Sequence, residues 1–119
     1  MNEPNSTQGT TTIAPEVLLT IAQLTTLNVE GVSRLSHVQS GVNRLLKRIQ
    51  TKEGVHIEII DDVVYADIFV VLKNDVNVRD VSHNIQREVS RAISEMVGMQ
   101  VGRVNIHIED IDYPSEVEA

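Results

Sequence analysis

Residues 55–72, VHIEIIDDVVYADIFVVL, decide the fold. In the first run Val55, Ile57 and Ile59 alternate with His56 and Glu58, the period of a strand with one buried face. Asp61-Asp62 then reads as a two-residue hairpin turn, although it lacks the glycine such turns favour. The second run, 63–72, is apolar on both sides. Val64, Ala66, Ile68, Val70 and Leu72 form one face; Val63, Tyr65, Phe69 and Val71 form the other, broken by Asp67. A strand open to water on one side shows cleaner alternation. The pattern therefore predicts that a terminal segment or another subunit covers part of the second face, with Tyr65 and Phe69 as the interaction residues.

Downstream, Val78, Val81, Ile85, Val89, Ala92, Ile93 and Met96 give a helical stripe over 78–97. Asn77 suits its N-cap, Asp80 stands at the capping-box position, and Gly98 ends it. Then Val104, Ile106 and Ile108 alternate with Arg103, Asn105, His107 and Glu109, a further strand. A strand–helix–strand connection of this length implies a crossover, with the last strand parallel to 63–72.

Upstream, Thr11–Ile13 reads as a short edge strand. Pro15 opens a helix in which Val17, Leu18, Ile21 and Leu24 form the apolar stripe, closed near Glu30-Gly31. Residues 41–52, GVNRLLKRIQTK, place Val42, Leu45, Leu46 and Ile49 at i, i+3, i+4, i+7, which predicts a second helix with Arg44, Lys47, Arg48 and Lys52 along its polar side. The expected fold is α+β: a two-layer sandwich of order (β)ααββαβ, with a three- to four-stranded sheet and its helices on the face of Ile57, Ile68 and Ile106. Residues 1–10 read as a flexible leader, 11–111 as a single domain and 112–119 as an acidic flexible tail.

Composition agrees with one sheet-rich core. The 119 residues include 18 Val and 12 Ile but a single Phe and no Trp. No apolar run reaches the roughly 20 residues of a membrane span, and no signal-peptide layout is present, so the expected location is cytoplasmic. Without cysteine there is no disulfide, thiol nucleophile or Cys-type zinc site. A formal charge of -7 argues against general nucleic-acid binding.

The helix-free sheet face gathers His56, Glu58, Tyr65, Asp67, Arg103, Asn105, His107 and Glu109. No HExxH or i, i+4 histidine pair fixes convergent metal ligands, and strand alternation by itself accounts for a polar outer face. The scattered glycines form no phosphate-binding loop, and no nucleophile elbow occurs. The sequence points to no catalytic residue, cofactor or metal. The basic stretch leaves an alternative, a small KH-like nucleic-acid or anionic-lipid module using Arg44, Lys47, Arg48 and Lys52; the absence of a GxxG loop counts against the KH form.

Three ordered blocks, IAPEVLLTIAQLTTLNVEGV (13–32), GVHIEI (54–59) and ADIFVVL through VNVRDVSHNIQREVSRAISEMVGMQVGRVNIHIEDI (66–111), resemble the alkaline shock protein family, also called the envelope stress response or glucose-starvation stress family of Gram-positive-type bacteria. The resemblance spans about 100 residues, strongest from Met96 through Ile106. It implies a non-enzymatic, self-associating cytoplasmic protein acting in cell-envelope homeostasis at the inner face of the membrane, with a membrane-anchored relative as partner. It supplies no catalytic residues. Two departures stand out: Asn74-Asp75 replaces the Tyr-Gly pair that usually precedes the long helix, and Thr25 and Thr26 replace alanines late in the first helix.

Overall fold

The turn at Asp61-Asp62 organises the sheet. A computed structural model describes residues 9–37 and 49–114, with the backbone alone for residues 49 and 50. Both aspartates have positive φ, 52° and 67°, as a two-residue type I′ hairpin requires. They join β3 (Val55–Ile60) to β4 (Val63–Lys73), with Ile60 opposite Val63 and Val55 opposite Ile68. Among the described residues the remaining elements are α1 (Pro15–Leu27), β1 (Val32–Leu35), β2 (Ile49–Lys52), α2 (Val78–Ala92) and β5 (Gln100–Asp112). The fold is α+β, and its order is αββββαβ, a five-stranded sheet carrying two helices.

That order corrects the expected one in three places. Thr11–Ile13 forms no strand and is exposed. Val32–Leu35, not anticipated, is a strand antiparallel to the second half of β4. The helix expected over 41–52 is overturned at its C-terminal end: residues 49–52 pair antiparallel with β3, from Ile49 opposite Glu58 to Lys52 opposite Val55. Residues 41–48 lie outside the described residues. A two-turn stripe is weak support for a helix, and the Glu53-Gly54 turn offers residues 49–52 the free edge of β3 instead.

β4 is the central strand. β5 runs parallel along one edge of it, as the crossover required. The other edge is divided: β3 lies beside residues 63–68 and β1 beside 70–72. The seam falls at Phe69, whose N–H donates to the Gly54 carbonyl and whose carbonyl accepts from the Ser36 N–H, both at 2.8 Å. The strands close up tightly there. Gly54 has φ +78°, and a Cβ on it would lie 2.6 Å from Leu35 Cβ.

The helices pack on the face of Ile57, Ile68 and Ile106, as expected. Val81, Ile85, Val89 and Ile93 from α2 meet Val64, Ala66, Ile68, Val70 and Leu72 of β4 in the core. Asn77 caps α2, its Oδ1 accepting from the Asp80 N–H at 3.0 Å. The helix ends in a π turn, Ile93–Val97, closed by Gly98 at φ 80°. The wider turn rotates Met96, expected in the core stripe, out to 70% exposure.

α1 is likewise rotated from the expected stripe. Leu18, Leu19, Ala22 and Thr26 are buried, while Val17 and Leu24 are 44% and 59% exposed. Val17, Leu18, Leu19, Ile21, Ala22, Leu24 and Leu27 leave α1 apolar nearly all round, so its sequence does not specify which side faces inward.

Candidate interaction surface

Alternation along β3, β4 and β5 brings His56, Asp67, Phe69, Asn105 and His107 together on the face without helices. The register sets Asp67 between His56 and Asn105, and Phe69 beside His107. The Phe69 ring stacks on the His107 imidazole, centroids 4.4 Å apart and planes 11° from parallel. On its other side His56 sits at 5.3 Å, tilted by 56°. Asp67 Oδ1 accepts from Asn105 Nδ2 at 3.1 Å and lies 3.0 Å from His107 Nε2. Burial pushes the His56 imidazole below its ordinary value, outweighing the pull of the Asp67 carboxylate; His107 adds to the depression.

Tyr65 and Phe69, the interaction residues expected from sequence, are both half-buried on this face. Beside Tyr65 the strand β5 carries a bulge, where Val64 pairs with Val101 and Tyr65 with Arg103, leaving Gly102 over. A Cβ on Gly102 would lie 2.6 Å from Tyr65 Cε1, so the ring lies against bare backbone there. The Arg103 guanidinium stands 6.0 Å from its centroid, within cation–π range.

At the far end Val71 is only 2% exposed although it is on the helix-free side. Part of what covers it is internal. Arg34, opposite Val71 on β1, reaches across β4 to Asp112 on β5, Nε to Oδ2 3.1 Å, and Ser33 Oγ donates to the same oxygen at 2.6 Å. Those hydrogen bonds, from Arg34 first and then Ser33, hold Asp112 below the usual carboxylate range. This strap was missed in the sequence, where nothing links residues that far apart. It involves Asp112, the first residue of the expected acidic tail, which closes β5 opposite Lys73.

Of the four basic candidates only Lys52 is described, and it is not on this face. Lys52 points to the helical side, its Nζ 3.1 Å from Glu16 Oε2 and 3.3 Å from Thr20 Oγ1 on α1. Arg44, Lys47 and Arg48 lie outside the described residues. Among the described residues no three histidine or carboxylate side chains are grouped to hold a metal ion. The His107–Asp67 pair is not in a cleft; each side chain is about two-fifths exposed. An open groove of about 650 Å³ lies elsewhere, between α1 and α2. Its arginines pair within their own helix, Arg87 with Glu88 and Arg91 with Glu95.

The family's sequence profile matches residues 3–113, which agrees with the resemblance in the sequence. The chain belongs to the alkaline shock protein 23 family, a family with a cell envelope-related function. It is 36% identical over 104 residues to the uncharacterized protein Spy1535 of Streptococcus pyogenes serotype M6, covering 87% of this chain and 79% of that protein. It is 24% identical over 119 residues to the uncharacterized protein YqhY of Bacillus subtilis, covering 99% and 88%. Solved structures of MamM CTD variants share the fold: one superposes with a TM-score of 0.50 at 14% identity, over 80% of this chain and 95% of its own. At that identity the likeness is one of fold alone. No helix among the described residues is long and apolar enough to cross a membrane.

Proposed function

We propose that this family member is a non-catalytic cytoplasmic protein that serves its cell envelope-related role by contact, associating with itself and with envelope-associated partners, a membrane-anchored relative among them. The observation that carries the reading is Phe69, a half-buried aromatic ring held between two imidazoles on a sheet face that no helix among the described residues covers. Aromatic side chains fixed by their neighbours are the residues that dominate interface energetics. The anionic-ligand alternative has less support, since Lys52 is engaged by Glu16.

Light scattering on the wild type and Phe69→Asp tests the reading. The wild type is expected to show a mass above the monomer that rises with concentration, and the variant a lower mass with unchanged circular dichroism. A monomeric mass for both proteins across the concentration range overturns it.

A further inference from the structure

β5 is a 13-residue strand that, among the described residues, pairs with β4 alone. Its outer backbone edge is a row of donors and acceptors open to strand addition. Bulges interrupt it at Gly102 and Glu109, leaving Arg103–Ile108 as a regular run of ordinary strand length. Gln86 Nε2 donates to the Val104 carbonyl at 3.0 Å, but a carbonyl accepts two bonds, so the edge stays open.

The apolar row of this strand is incompletely covered. Ile106 and Ile108 are half-buried, whereas their β4 neighbours Ile68 and Val70 are fully buried. The polar row is charged asymmetrically: Arg103 stands at one end, and Glu109, Asp110 and Asp112 at the other. Arg103 and Glu109 are both exposed, and neither makes an ion pair within the described residues.

We propose that two copies of the chain join through β5, antiparallel about Ile106, into one continuous sheet. This rests on the self-association proposed above and adds to it a contact along the sheet edge, separate from the Phe69 face. A two-fold axis perpendicular to the sheet keeps apolar faces together and makes the contact self-complementary. With Ile106 on the axis, Val104 lies opposite the partner's Ile108, Asn105 opposite the partner's His107, and Arg103 opposite the partner's Glu109. The open flanks of Ile106 and Ile108 become buried, and opposite charges meet twice. Centring on Asn105 instead sets Arg103 against the partner's His107. Centring on His107 sets the two imidazoles against each other. Only the register about Ile106 sets Arg103 opposite Glu109, and opposite charges directly across an antiparallel pair are favourable, so charge selects it.

Charge reversal and cross-linking test the register. Arg103→Glu is expected to weaken dimerisation about tenfold or more by sedimentation, and Arg103→Glu/Glu109→Arg to restore it to within about threefold. The chain has no cysteine, so Arg103→Cys and Glu109→Cys can be made singly and mixed. Directly opposed Cα atoms lie within disulfide range, about 4.5–5.5 Å apart. Mild oxidation of the mixture is then expected to give a heterodisulfide, and either variant alone none. If Phe69→Asp abolishes association while Arg103→Glu does not and no heterodisulfide forms, the edge pairing is wrong and self-association through the sheet face stands. A wild type that stays monomeric and uncrosslinked overturns both.

Discussion

Replacing Gly54 by alanine probes the seam at which β3 and β1 share the edge of β4. Two costs arise. The left-handed backbone, φ +78°, costs an L-residue roughly 1–2 kcal/mol. The new methyl also meets Leu35 Cβ at 2.6 Å. A Cβ sits on the backbone and cannot swing aside as a side-chain tip does, so β1 or β3 must shift, an overpacking cost of about 1–3 kcal/mol. Lost unfolded-state freedom returns about 0.4–1 kcal/mol. The net expectation is a loss of about 2–4 kcal/mol. Gly98→Ala is the control, since Gly98 has nearly the same φ, +80°, and a methyl added there would meet nothing within 4 Å; it should cost only about 1 kcal/mol. Urea denaturation followed by circular dichroism measures both. Equal losses at the two glycines would refute the close approach of β1 to β3, and with it the pinning of Phe69 between Gly54 and Ser36.

Two further outcomes follow from buried or shielded polar groups. Thr26 is fully buried in α1 and its Oγ1 has no hydrogen-bond partner among the described residues; Thr26→Val keeps the shape and removes an unsatisfied hydroxyl, so urea denaturation should show a gain of about 1 kcal/mol, and a loss would mean the hydroxyl is satisfied in solution. The His56 imidazole is held below its ordinary value of 6.5, chiefly by burial. The unfolded chain therefore binds its proton more readily, and the His56 contribution to stability falls as pH drops through about 6.5 towards the lower folded value. NMR titration should give His56 an apparent pKa below 6.5, moving back up in Phe69→Ala; a normal value in the wild type contradicts the shielding by Phe69.

Much of this fold is legible in sequence because its signals are local. The β3–β4 hairpin, the Asn77 cap and the parallel β5 all follow from alternation, capping chemistry and the crossover rule. The failures have a common cause in information that is not local. β1 is four residues with polar Ser33 and Arg34 inside it, and only the second half of β4 makes it a strand. Residues 49–52 carry a helical spacing that the open edge of β3 overrides. The rotation of α1 is set by what it packs against, since its own sequence is apolar on almost every side. Thr26 sits on the buried side of that rotation.

The candidate surface was legible in the same measure. Apolar residues on both faces of β4 point to Tyr65 and Phe69, and strand alternation places His56, Asp67, Asn105 and His107 around them. The pattern shows neither the stacking of His107 on Phe69 nor the Arg34–Asp112 strap over Val71, which joins residues 78 positions apart. That strap divides the face into two ends. Where Arg34 and Asp112 close over β4, the apolar excess of the strand is satisfied within the chain. At Phe69 it is not: the backbone is fixed on both sides by the bonds to Gly54 and Ser36, the ring is held by His56 and His107, and the side chain is only partly buried. A side chain already held in place loses little freedom when a partner covers it. Under the proposed function the end of the face near Phe69 is the one that binds, while the end near Val71 is already closed.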